Sequence, residues 1–286
     1  MELKLFKTLW GFTGSHMQAV EQALAAGMNG IEGPAPATPQ QRTEFKSLLK
    51  ANTLDYISEI TTAGSYVPQR FASLDAHLAS FSAKLMLSLE LEPLFVNCLG
   101  GCDAWPESQS LEFFARAMEI ADDNGVTVSF ETHRGRSMFN PWSTQRFVQA
   151  LPDIKLTCDF SHWCVVCERL IDTERDIIES LANNAHHIHA RVGYDQGPQV
   201  PHPAAPEYAV SLRAHQSWWE IIWQSQRRRA YAYTTMTPEF GPDGYLHLAP
   251  FSQQPVADLW ALNTWMAHAE RRHFGEFMLE SALESA

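Results

Sequence analysis

Val128–Arg136 reads VSFETHRGR. Its first residues have strand character, and the run then stops at Glu131, Thr132 and His133 before two arginines flank Gly135. A short apolar run of this kind suits a buried strand. Packing gives no reason to end such a strand on a carboxylate, because burying a charge costs free energy unless a partner compensates it. Upstream, Ser110–Gly125 (SLEFFARAMEIADDNG) has helical spacing and closes on Asn124-Gly125, a helix stop. Downstream, Ile154–Phe160 (IKLTCDF) reads as the next strand. The local unit is therefore helix, strand, helix, strand.

Working outward, the same alternation recurs about eight times. The predicted strands are LKLFKTLW (Leu3–Trp10), GIEG (Gly30–Gly33), LDYISEI (Leu54–Ile60), LFVNCLGG (Leu94–Gly101), GVTVSFE (Gly125–Glu131), IKLTCDF, HHIHARV (His186–Val192) and YAYTTMTPEF (Tyr231–Phe240). Ser15 is placed to cap a helix in SHMQAVEQALAAGM. The chain has 286 residues, 45% of them hydrophobic, and shows no composition shift or Ser/Gly linker. Eight βα units under those conditions predict an α/β fold, a (β/α)8 TIM barrel forming one domain over residues 1–286, in preference to an open doubly wound sheet. Two segments break the rhythm. Val192–Ala214 is Pro-rich and non-periodic, as a lid or binding loop would be. The tail beyond Pro255–Phe274 reads as a short acidic helix covering the barrel or packing on a second subunit.

Composition narrows the function. The opening MELKLFKTLW is too short and too charged for a signal peptide, and no run of about 18 apolar residues is present. A cytoplasmic location away from membranes is expected. Five cysteines are odd in number and sparse, so the CVVC pair at Cys164–Cys167 is expected to be buried thiols, not a redox or zinc motif. The net charge of −12 would repel a nucleic acid backbone, and the one basic run, Arg227–Arg229, closes an amphipathic helix that begins near His215. No nucleic acid partner is expected. No Gly-rich dinucleotide or phosphate loop follows a predicted strand.

In a parallel barrel the strand C-termini open on one face, so residues at successive strand ends meet in space. Strands five to eight end on Glu131, Asp159, His189 and Glu239, at spacings of 28, 30 and 50 residues. A single acidic residue at a strand end is most often a loop cap; four ligand-type side chains on four consecutive strands form a set. Three carboxylates at one mouth repel one another, and a divalent metal offsets that charge directly. An oxygen-rich shell with one imidazole suits Mn²⁺, Mg²⁺ or Co²⁺, and also Zn²⁺. Alternation puts His187 and His189 on one face and His186 on the other, which makes His189 the ligand nearer the strand end and His187 the fallback. Trp10, Trp105, Trp142 and Trp163 follow strand ends, where an indole stacks on a sugar ring or packs under its own loop. Arg134, Arg136 and Arg191 are placed to pair with a substrate anion or to neutralise acids around the metal, the latter preferred for Arg136. His133 and the loop residue His202 are candidates for binding or proton transfer, and Glu32 and Glu59 for substrate hydroxyls.

FETHRGR (Phe130–Arg136), CDFSHW (Cys158–Trp163), HIHAR (His187–Arg191) and PEFGPDGY (Pro238–Tyr245) together resemble the xylose isomerase-like TIM-barrel superfamily, in particular its D-tagatose 3-epimerase-like and inosose dehydratase-like branches. The resemblance spans nearly the whole chain as strand order. It implies one divalent metal on Glu131, Asp159, His189 and Glu239, acid/base roles for Glu131 and Glu239, substrate contacts from His162 and Arg191, and a homodimer or homotetramer. After His189 the sequence ARVGYDQGP departs from the acidic and arginine run of those epimerases. The expected function is a metal-dependent isomerase or epimerase of a small carbohydrate or polyol, working through an enediolate. The alternative is a lyase or dehydratase using the same site. An endonuclease IV-type phosphodiesterase needs more ligands and a basic surface, and a non-catalytic sugar-binding barrel leaves the surplus acid/base groups without a purpose.

Overall fold

In the computed structural model, which describes residues 1–242 and 244–283, eight parallel strands close into a barrel in sequential order. They are β1 (Glu2–Thr8), β2 (Gly30–Gly33), β3 (Asp55–Thr61), β4 (Val96–Leu99), β5 (Val128–Glu131), β6 (Lys155–Cys158), β7 (Ala185–His189) and β8 (Tyr233–Thr237). The β1–β8 pairing that shuts the barrel runs from Glu2↔Tyr233 to Leu5↔Met236. Around it lie α1 (His16–Ala25), α2 (Pro39–Ala51), α3 (Leu74–Leu89), α4 (Glu107–Asp123), α5 (Pro141–Ala150), α6 (Phe160–Cys167), α7 (Arg175–Leu181), α8 (Ala209–Arg228) and α9 (Leu259–Leu283). Each predicted strand corresponds to an observed one. Among the described residues no helix is long and apolar enough to cross a membrane.

Local chemistry accounts for the helix ends. Ser15 and Gln18 cap α1 reciprocally: the Gln18 N–H donates to the Ser15 hydroxyl, and the Ser15 N–H donates to Gln18 Oε1. α4 ends where Asn124 caps it and Gly125 turns to φ +67°, which glycine adopts without steric cost. Two expected boundaries move. The Pro-rich segment gives way to α8 at Ala209, so its last six residues are helical. The tail is no short helix: α9 runs unbroken for 25 residues and packs against Trp223 through Phe274 and Phe277. One face of it, with Leu262, Met266, Phe274 and Phe277, is buried in the main core.

Because strand side chains alternate, the barrel interior is layered. At the bottom Phe6, Ile57 and Phe95 form an apolar plug. Outward-facing Leu5, Ile31, Phe130, Leu156 and Ile188 pack under the helices in the main core. The five cysteines are free, four are buried, and burial holds their thiols protonated, Cys98 being pushed up to about 12. Cys164 and Cys167 lie in α6, both with raised pKa.

Candidate metal centre at the barrel mouth

Above the plug, the next layer is polar. Glu32 of β2 is fully buried beneath the mouth. It accepts from His189 Nε2 (3.0 Å), His187 Nε2 (3.1 Å), Asn97 Nδ2 (3.3 Å) and the Thr237 hydroxyl. His187 is tied on its other nitrogen to Thr235 Oγ1 at 2.8 Å. His187 thus belongs to this lower layer, and Glu32 does not line the cavity where substrate hydroxyls would be. With Nε2 turned to Glu32, the other ring nitrogen of His189, Nδ1, faces the mouth.

Glu131, Asp159, His189 and Glu239 form the uppermost layer, with one ligand-type atom from each lying within 4.8 Å of the others. All four residues are buried. His189 Nδ1 lies 2.9 Å from Glu239 Oε2 and 3.6 Å from Glu131 Oε1, yet makes no hydrogen bond. A buried nitrogen without a partner, aimed among three carboxylates, is a donor set that fits a divalent cation. The electrostatics agree. Burial opposes a charge on His189, but Glu239, Glu32 and Glu131 outweigh it and raise its pKa well above the usual value. Burial likewise opposes ionisation of Glu131, and His189 reverses this, bringing it to about 2. Burial raises Glu239 to about 7 despite His189, and raises Asp159 despite Arg191. The cage stabilises positive charge at its centre.

Arg191, which follows β7, is buried against this cage. It pairs with Asp159 Oδ2, donates to Ser161 Oγ (3.1 Å) and to His162 Nε2 (2.6 Å), and stands 3.8 Å from Glu239 Oε2. Its guanidinium lies 4.8 Å from the Tyr245 ring centroid and 5.3 Å from that of Trp10. His162 is fully buried, with Nδ1 unpartnered and its ring 3.9 Å from that of His133. Burial lowers His133 to about 3, so both imidazoles stay neutral at pH 7. Arg134 lies over Tyr245 at 4.8 Å.

A cavity of about 520 Å³ opens above the cage, lined by Glu131, Glu239, Arg191, His133, Trp10 and Glu59 among others. That volume falls in the range of small-molecule sites, ~300–1,000 Å³. Burial, then Glu239 and Glu131, raise Glu59 to about 8. Trp10 forms part of the wall, its ring seated where any side chain on Gly241 would begin, 2.0 Å from an ideal Cβ.

Several rim candidates turn away from the cavity. Trp105 packs edge-on against His77 (4.5 Å) and Phe113 (6.1 Å), and Trp163 is a core residue whose indole N–H donates to the Met138 carbonyl. Trp142 is 43% exposed on α5. Arg136 makes no ion pair with the cage and does not line the cavity, although the charge of Glu131 still acts on it. It is buried and donates to the carbonyls of Thr62 (2.7 Å), Gly101 (3.2 Å), Tyr66 (3.2 Å) and Ser65. His202 packs on Trp265 of α9. The Pro-rich loop around it contributes no cavity residue beyond Arg191 at its root. Instead it is clamped to the loop after β8, where Gln199 and Gly241 exchange two hydrogen bonds (2.8 and 3.3 Å). Conversely, Tyr66, Tyr245, Asn97 and Lys84 reach the site without having been picked out from the sequence.

A family model described as xylose isomerase-like TIM barrel matches residues 20–197, stopping short of Glu239. No curated protein matches the chain. Solved structures that resemble it include an L-ribulose 3-epimerase (TM-score 0.67, 13% identity, covering 100% of this chain and 99% of that one). The IOLI protein with a bound zinc atom is also similar (0.63, 12%, covering 97% and 98%). So is the probable 3-DHS dehydratase from Bacillus anthracis (0.60, 13%, covering 94% and 98%). At these identities the likenesses speak to the fold, and the family match covers more than half of the sequence: this chain belongs to the xylose isomerase-like TIM barrel family.

Proposed function

We propose that the protein is a divalent-metal-dependent isomerase or epimerase of a small sugar or polyol. The single observation that carries this is the unpartnered His189 Nδ1, buried among Glu131, Asp159 and Glu239 at the floor of an open cavity. Those four residues would hold the ion, Mn²⁺ by preference, with Glu32 fixing the tautomer of His189. When bound, such an ion polarises a carbonyl and stabilises the enediolate formed from it. The protein's own groups do the rest. Glu131 takes the proton from the carbon beside the carbonyl, and protonated Glu239 returns one to the opposite face. Each turnover leaves the proton on Glu131 and the charge on Glu239, so exchange with water resets the pair. Arg191, His133, His162 and Arg134 supply donors for substrate oxygens, and Trp10 supplies an apolar wall for the ring. The likeness of its fold to an epimerase, to the zinc-bound IOLI protein and to a dehydratase is in keeping with this reading. With a substrate carrying a β-hydroxyl, the same pair would expel water, which is the lyase alternative.

The test is proton exchange in D₂O on ketoses with Mn²⁺-loaded protein, read by NMR. Deuterium should enter at the carbon next to the carbonyl, and Glu131→Gln should slow this by about 10²–10⁴-fold. Absence of any bound metal after reloading, or of exchange on every ketose, would remove the reading.

A further inference from the structure

The cavity does not end at the cage. Beyond Glu59 it continues past the loop after β2 to the flank of α3, where Pro34, Ala35 and Leu87 line it together with Lys84. This arm leaves room for substrate atoms beyond those at the metal, and its one cation is Lys84. The Lys84 ammonium donates to the Thr61 carbonyl (2.5 Å) and the Thr61 hydroxyl (3.1 Å). No described carboxylate lies within ion-pair distance of it. The other cation nearby is Arg136, which is bonded to main-chain carbonyls and Thr62 and lowers the pKa of Lys84 together with burial. Glu59 feels this charge but lies out of contact. A half-buried ammonium is therefore hydrogen-bonded only to neutral oxygens, near a second cation that makes no ion pair, in a cavity whose lining elsewhere includes Glu59, Glu131 and Glu239. Such a group gains most from an anion brought by the ligand. The hydroxyls of Thr61 and Ser65 line the same stretch.

We propose that Lys84 is a specificity residue that selects substrates with an anionic far end, a sugar acid or sugar phosphate, over neutral sugars. The proposal rests on the sugar-handling reading of the mouth. It gives the cavity a polarity: a carbonyl end over the cage, and a carboxylate or phosphate in the arm.

The matched ligands D-fructose, D-fructose 6-phosphate and D-fructuronate differ at one end only. Their affinities for the Mn²⁺-loaded full chain, measured by titration calorimetry, test the idea in the wild type, Lys84→Met and Lys84→Arg, with proton exchange in D₂O followed in parallel. At least one anionic ligand should bind roughly tenfold tighter than D-fructose. The ratio should fall to near one in Lys84→Met and be largely kept in Lys84→Arg, which also shows that the position tolerates substitution. Whether the phosphate or the carboxylate carries the preference identifies the anion. Equal affinity for all three, or a preference that survives in Lys84→Met, would overturn the role of Lys84. Exchange without an anion preference would leave the enediolate chemistry standing and remove this inference. Preference without exchange would do the reverse, and binding of none of the three would overturn both.

Discussion

The two ends of the barrel interior are built on opposite principles. At the bottom, Phe6, Ile57 and Phe95 fill the space with apolar volume, and Phe95 lies edge-on to His186 at 4.6 Å. At the top, three carboxylates and an imidazole are buried within 4.8 Å of one another, with one nitrogen unpartnered. Between them, Glu32, His187, Thr235 and Thr237 form a network in which every hydrogen bond of the carboxylate is used. The lower end consumes the driving force of burial and holds the strands together. The upper end is tolerated only because that stability is supplied elsewhere.

Breaking the lower end should have the largest effect. Phe95→Ala removes a buried ring and is expected to cost about 3–5 kcal/mol in urea unfolding while metal stoichiometry stays near one per chain. If the metal were lost too, the two ends would not be separable. The upper end should respond to the ion instead. At a hundredfold excess over Kd, Mn²⁺ should stabilise the wild type by ~2.7 kcal/mol and Glu239→Gln by close to nothing. Chelation should reverse the gain, and equal gains in both proteins would contradict the four-residue cage.

A smaller effect should come from neither end. On the outer wall, His273 of α9 bridges Glu220 (2.7 Å) and buried Glu270 (3.0 Å), and these partners outweigh burial to raise its pKa to about 9. A raised pKa means that the stabilisation is complete below the ordinary histidine value of 6.5 and is lost as pH climbs through 9. The wild type should therefore lose on the order of 2 kcal/mol relative to His273→Gln between pH 6 and pH 9.5, after allowing for the partial exposure of Glu220. A constant gap between the two proteins would refute the pairing. Smallest of all, Gln199→Ala breaks the clamp on Gly241 and should cost about 1 kcal/mol, leaving metal affinity unchanged.

Strand order and the cage residues were legible because a parallel barrel turns one rule, residues at strand ends, into one place. Glu131, Asp159, His189 and Glu239 needed nothing else to be found together. Direction was not legible. Trp105, Arg136 and His202 follow strand ends as Trp10 and Arg191 do, but a loop side chain points inward or outward according to packing that no period reports. Tyr66 and Tyr245 come from loops that meet only in three dimensions, at 6.2 Å between rings. Lys84 reaches the cavity from the middle of a helix. Asn97 and Glu32 did lie on predicted strands with the right parity, and a layer-by-layer count of interior positions was the signal that would have placed them beneath the mouth.

Arg136 has a consequence for the order of events in synthesis. One guanidinium holds main-chain oxygens of residues 62, 65, 66 and 101, the farthest of them 74 positions earlier in the chain. The loop after β3 is made early but keeps water as its partner until that arginine leaves the ribosome, roughly 4–15 s later at ordinary elongation rates. One wall of the cavity is thus translated well before the residue that fixes it.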